Sequence, residues 1–418
     1  MAKLIVNGGK RLNGCVNLQG SKNSALPILA ASAAVNGVSV IHNCPELTDV
    51  SAAMNILSHI GCKVRREGGT VVVDSTGASK SEIPESLMHE MRSSIIFLGA
   101  LLSRFGECTV TAPGGCEIGL RPIDLHLSAL RAMGAVITES GGVLRCRAEK
   151  LSGCCINLGF PSVGATENIM LASLGAHGET VIHNAAREPE IEDLACFLQK
   201  CGANIRGAGQ SVISVSAPRK LTAAEHKVIP DRIVASTYIA GTACAGGTVT
   251  VRNAEYSHLL PVIPAFEAMG CGICAKNNEL RIVCDKRPSR VKLIRTMPYP
   301  GFPTDSQAII MAVAAKAKGT SIITEKIFEN RFRHVPELVK MGADIRVEDG
   351  CVAIVEGVEN LHGARVESTD LRGGSALAVA AMGARGQTVI EKIHHIDRGC
   401  EAFEKRFAEL GADIKRAD

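Results

Sequence analysis

Aromatic residues make up only 3% of this chain, and no apolar run reaches the roughly 18 to 20 residues that a bilayer span requires. The first scarcity leaves few platforms on which nucleic-acid bases could stack. The formal charge of +4 is also too mild for a polyanion binder. The second scarcity excludes a membrane-spanning helix. Residues 1–7 lack the long apolar core of a signal peptide, so a cytoplasmic location is expected. Sixteen cysteines are present, but they are scattered singly through apolar neighbourhoods of a long chain, the reverse of a short disulfide framework. The nearest approaches to a metal pattern are "GCC" at residues 153–155 and the pair Cys271 and Cys274. Neither has a second pair with supporting histidines at zinc-finger distance. No metal and no other cofactor is expected, and a small, strongly anionic ligand fits the composition better than a polymer.

What the chain does have is length, glycine and repetition. Its 418 residues exceed one ordinary hydrophobic core, which predicts about two domains, and 42 glycines imply many tight turns. An apolar helix end followed by Gly-Ala or Gly-Cys recurs at "LSHIGC", "LRAMGA", "LQKCGA", "FEAMGC", "LVKMGA" and "FAELGA", at intervals of roughly 70 residues. The glycine after each helix reads as a C′ residue. Ahead of each helix lies a strand of the "GETVIHN" kind, and after it an alternating strand pair such as "ADIRVEDGCVAIVEG", with Asp349 and Gly350 as the hairpin turn. The last copy stops after one strand, while the chain starts with an orphan, "KLIVNGGKRLNGCVNLQG", that would complete it. This predicts an α/β protein of six units, three per domain. One domain would span residues 21–230, the other residues 1–20 with 231–418, with a hinge near Gly20 and Pro230. Repeats alone show no chemistry, and a structural scaffold would carry the same pattern.

Two positions in the unit gather unusual residues. The first is the start of a nearly all-apolar helix, where Lys22, Arg92, Ser162, Arg232, Asp305 and Arg372 stand. Taken singly, each reads as a cap or a surface charge. Cations at helix N-termini oppose the helix dipole, however, so Lys22, Arg92 and Arg372 call for an anion beside them. The second position is the loop after the first strand, which delivers Cys116, Arg121, Arg187, Arg331 and Arg398 toward what should be a common cleft. Arg187 is flanked by Glu188, Glu190 and Glu192 and reads as a structural salt bridge. His394 and His395 would point apart in a strand and have no carboxylate pattern for a metal. Cys116 follows Pro113, Gly114 and Gly115, so it sits on a loop, and nearby Arg121 should favour its thiolate.

These motifs together resemble the UDP-N-acetylglucosamine 1-carboxyvinyltransferase family of enolpyruvyl transferases over essentially the whole chain. The likeness runs through "GSKNSALPILAA", "PGGCEIGLRPIDLHL", "FPSVGATENIM", "NAAREPEIEDL", "GFPTDSQA", "ENRFRHVPEL", "TDLRGGSAL" and "HIDRGCEAFEKR". The resemblance implies a two-domain inside-out α/β barrel of six repeats. It also implies transfer of the enolpyruvyl group of phosphoenolpyruvate to the 3-hydroxyl of UDP-N-acetylglucosamine, with phosphate released, as an opening step of peptidoglycan synthesis open to fosfomycin. By motif match, Lys22, Asn23, Arg121 and Arg398 would hold phosphoenolpyruvate, and Arg92, Arg331 and Arg372 would complete the cationic surround. Cys116 would be the general acid and Asp305 the base, or else a group orienting the sugar hydroxyl. Arg121, Pro122, Ile123, Asp124, Leu125, Phe160, Pro161, Ser162, Val163, Gly164 and Ile327 would line the nucleotide-sugar site. Phe160 departs from the lysine that some members carry there. The shikimate-pathway enolpyruvyl transferase, whose relatives lack the loop cysteine, and a catalytically silent nucleotide-sugar-binding paralogue are the alternatives.

Overall fold

Helices that are buried on nearly every side are stable only where other structure surrounds them. Lys22–Ala34, Phe97–Phe105, Val163–Ser173, Arg232–Ala245, Gln307–Ala314 and Leu371–Met382 are of this kind over most of their length. The computed structural model describes residues 2–111, 123–217 and 220–417 of an α/β chain. The chain forms two compact units, one from Gly20 to Ile229 and one from the residues up to Gln19 together with Pro230 onward. The first three helices pack on one another in the Gly20–Ile229 unit, and the last three do so in the other. Every residue from Ser24 to Ala34 is buried. Small residues allow the close approach. A Cβ at Gly99 would lie 2.3 Å from the Asn168 carbonyl oxygen, so only glycine fits where those two helices cross.

Sheets cover the helices, three in each unit among the described residues. A representative one runs in the order Glu225–Lys227, Val38–His42, Thr70–Asp74, Lys63–Glu67. Its first pair is parallel, with Glu225 opposite Val40, and the others are antiparallel. In the other unit Lys3–Asn7 lies between Gln387–Glu391 and Asp413–Ala417, antiparallel to both, with Val6 facing Thr388 and Ile414. The alternating burial of these strands, as in the pattern of Thr70–Asp74, turns one face to the helices and the other outward.

Local chemistry explains the joints. Gly61, Gly134, Gly202, Gly270, Gly342 and Gly411, each just past an amphipathic helix, have φ of +102°, +98°, +104°, +98°, +86° and +92°, a left-handed end that a Cβ would strain. Asp349 and Gly350, both at positive φ, close the hairpin between Asp344–Glu348 and Val352–Gly357. His394 and His395 differ from the strand expectation. They lie in the short helix His394–Asp397, with ring centroids 4.1 Å apart. Among the described residues no helix is long and apolar enough to cross a membrane.

Candidate active site

In the unit that contains Asp305, three charged residues far apart in sequence come together. Asp305 lies in the 3-10 turn Thr304–Ser306 that leads into the buried helix Gln307–Ala314. Its Oδ1 accepts from Arg331 Nη2 at 3.0 Å and from Arg372 Nε at 3.1 Å. The two arginine side chains are 3% and 4% exposed and the Asp305 side chain is 30% exposed, so the arrangement presents one carboxylate over two enclosed guanidiniums. Arg331 also donates to the Thr304 carbonyl through Nε and Nη2. Asp370 Oδ1 accepts the N–H groups of Arg372 and Gly373, an N-cap of ordinary kind, and lies 3.8 Å from Arg331 Nη1. Burial alone would raise the Asp370 carboxyl, but Arg331, His334 and the capped N–H groups together hold it below its usual value. Burial likewise opposes the charge on Arg372, and Asp305 and Asp231 outweigh it. Arg398 is the half-buried C-cap residue of His394–Asp397, and Ile327 is half-buried with its N–H on Glu325 Oε1 at 2.7 Å.

The Gly20–Ile229 unit assembles a second group. Lys22 and Asn23 open the buried helix Lys22–Ala34, and Lys22 Nζ meets Asp49 Oδ2 at 3.2 Å, with Asp49 3% exposed. The anion that a cation at a helix start calls for is thus supplied by the protein's own carboxylates, Asp49 for Lys22 and Asp305 for Arg372. Ser24 donates to Asp193, which also accepts from Ile229 N at 3.1 Å and pairs with His226 Nε2 at 2.8 Å. Arg92 begins the 3-10 turn Arg92–Ile96. Phe160 is 41% exposed, Pro161 follows it, and Ser162 caps Val163–Ser173 by accepting from Ala165 N at 3.3 Å. Val163 and Gly164 occupy the first turn, whose N–H groups have no partner within the helix. Ile123 precedes the helix Asp124–Ala132, with Asp124 exposed and Leu125 half-buried. Cys116, Arg121 and Pro122 lie outside the described residues.

One sequence expectation fails. Arg187 forms no ion pair with its flanking glutamates among the described residues. Its Nε donates to the Gly209 carbonyl at 3.2 Å, and only its backbone N–H meets Glu188. The residues that sequence reasoning missed are the buried carboxylates Asp49, Asp193, Glu325 and Asp370. Only Asp370 carried a usable signal, an acid immediately before an all-apolar helix. Among the described residues no group of three His, Cys, Asp or Glu side chains could hold a metal ion.

Two buried arginines under a half-exposed carboxylate give the unit a charged group that an anionic or hydroxyl-bearing ligand could meet. The family model described as EPSP synthase (3-phosphoshikimate 1-carboxyvinyltransferase) matches residues 6–407. The enolpyruvyl transferase NikO from Streptomyces tendae superposes with a TM-score of 0.90 at 26% identity, covering 100% of this chain and 99% of that one. EPSP synthase from Acinetobacter baumannii shares the fold, with a TM-score of 0.80 at 20% identity over 100% of both chains. The chain belongs to the enolpyruvyl transferases, in their UDP-N-acetylglucosamine 1-carboxyvinyltransferase family. Relatives bearing that name include one from Caldanaerobacter subterraneus subsp. tengcongensis, 53% identical over 100% of both chains. Another, from Geotalea uraniireducens, is 45% identical over 100% of this chain and 99% of the relative.

Proposed function

We propose that the protein transfers the enolpyruvyl group of phosphoenolpyruvate to the 3-hydroxyl of UDP-N-acetylglucosamine, an early step of peptidoglycan synthesis. Asp305, held by Arg331 and Arg372, is the observation that carries the chemistry of this reading. The sugar oxygen attacks C2 of phosphoenolpyruvate as its proton passes to Asp305, and Cys116 delivers a proton to C3. The tetrahedral adduct then loses a proton from C3, the C2–O bond to phosphate breaks, and phosphate leaves. Lys22, Asn23, Arg121 and Arg398 hold the phosphate and carboxylate of phosphoenolpyruvate, and Arg92, Arg331 and Arg372 add to the positive field in which charge develops. Residues 121–125 and 160–164, with Ile327, receive the nucleotide sugar, whose diphosphate suits the free N–H groups at the start of Val163–Ser173. No step needs a metal or an organic cofactor. The same reading takes the chain as a two-domain inside-out α/β barrel of six units of roughly 70 residues, three in residues 21–230 and three in residues 1–20 with 231–418, and the six glycine-ended helices support it. A cytoplasmic location goes with substrates of this kind.

The test is phosphate release from phosphoenolpyruvate with UDP-N-acetylglucosamine and shikimate 3-phosphate as competing acceptors. Turnover confined to the nucleotide sugar is expected. Preference for shikimate 3-phosphate would overturn the acceptor, and no release with either would make the protein a binding paralogue.

A further inference from the structure

Asn168 lies on the buried helix Val163–Ser173 and is fully enclosed. Its amide can be oriented from its neighbours. The Gly99 N–H donates to Oδ1 at 2.6 Å, and the Ile95 carbonyl accepts from Nδ2 at 2.9 Å. Turning the amide over would set N–H against N–H and oxygen against oxygen. The remaining Nδ2 hydrogen is therefore aimed at His126 Nδ1, 2.8 Å away. A donor facing Nδ1 requires a lone pair there, which leaves the ring proton on Nε2. We infer that Asn168 is a positioning residue that locks His126 as a neutral Nε2–H donor facing the start of the helix Val163–Ser173.

The surroundings agree with that assignment. The ring edge bearing Nε2 faces Gly164, where a Cβ would come within 3.4 Å of Nε2 and 3.2 Å of Cε1. His126 is 7% exposed. Burial first, then Arg92, push its pKa down to about 4, with Asp124 the opposing charge. Protonating Nδ1 would also set N–H against the Asn168 N–H. The lock adds a third donor to the free N–H groups of Val163 and Gly164, and a donor that stays uncharged imposes no desolvation cost of an ion. Its bond to the Ile95 carbonyl ties the same amide to the turn that carries Arg92. That the acceptor is the diphosphate of a nucleotide sugar rests on the function proposed above; the tautomer does not.

The experiment uses the full chain labelled with 15N-histidine and long-range proton–nitrogen correlation spectra, with His126 assigned by its loss in His126→Gln. Protonated Nε2 and unprotonated Nδ1 are expected at pH 7.5 and down to pH 5.5. A ring protonated at Nδ1, or at both nitrogens, at pH 7.5 would overturn the lock, and this measurement needs no variant at Asn168. Asn168→Asp puts an acceptor where the donor stood, so the proton should move to Nδ1 or the ring should become charged. An unchanged tautomer would overturn the proposal. Calorimetric affinity for UDP-N-acetylglucosamine should fall about ten-fold in that variant. A shifted tautomer with unchanged affinity would leave the lock and overturn the role of His126 toward the ligand. Failure of the unsubstituted protein to bind the nucleotide sugar would overturn the functional reading instead.

Discussion

Glu325 is 2% exposed at the end of the strand Gly319–Thr324, and it organises the loop that carries Ile327 and Arg331. Its Oε1 accepts from Thr296 Oγ1 at 2.9 Å, Ile327 N at 2.7 Å and Phe328 N at 3.1 Å, and its Oε2 accepts from Thr304 Oγ1 at 3.0 Å. Glu325→Ala would strand all four donors. The two hydroxyls can rotate toward other acceptors, but the two backbone N–H groups cannot, and an orphaned buried donor costs about 1–3 kcal/mol. Water entering the vacated volume returns part of that, so the expected loss is about 2–5 kcal/mol. At about 2–4 °C per kcal/mol for a domain of this size, melting should fall by roughly 4–20 °C. Glu325→Gln keeps an oxygen for the N–H groups and requires only that the Thr304 hydroxyl turn to accept, so its loss should be nearer 1 kcal/mol. Urea unfolding and calorimetry of the two variants measure both numbers. An alanine variant within about 1 kcal/mol of the parent would refute the reasoning, because the carboxylate would then not be satisfying those donors.

Asp305→Asn keeps the shape and removes the basicity, so turnover in the phosphate-release assay should drop about 100-fold or more while nucleotide-sugar binding survives; near-normal turnover would take Asp305 out of the chemistry. Cys116 should be the first cysteine alkylated at neutral pH because nearby Arg121 favours its thiolate, ahead of the exposed Cys15, Cys155, Cys196 and Cys274, while burial pushes Cys146 up to about 11 and Cys201 and Cys244 up to about 12 and keeps them slow. Peptide mass spectrometry that finds another cysteine modified first would refute this. Acid stability has a defined sign. Burial holds His126 and His334 at about 4, with Arg92 adding to it at His126 and Asp370 opposing it at His334, against about 6.5 in the unfolded chain. Between those values the unfolded chain binds protons that the folded chain refuses. Stability is therefore fully present above pH 6.5 and falls as pH drops toward 4, by up to about 3 kcal/mol per histidine. His334→Gln should flatten that fall in urea unfolding at pH 7 and pH 4.5, and an unchanged slope would count against it.

What the sequence by itself determined is the local grammar. Six helix ends followed by glycine, the Asp349 and Gly350 turn, and nearly all-apolar helices each follow from steric and burial constraints within a few residues, and all are found. The oddity of Lys22 and Arg372 at helix starts was legible for the same reason, since a dipole acts over one turn. Their partners were not. Asp49 lies 27 residues from Lys22, Asp305 lies 67 from Arg372, and Asn168 lies 42 from His126, and no local rule links positions so separated. Arg187 shows the converse, for three glutamates crowd it in sequence while the loop carries its guanidinium to the Gly209 carbonyl. Pairings of this kind are decided only when packed helices bring distant chain segments within hydrogen-bond reach, because burying a charge or an amide without a partner costs more than most single contacts return.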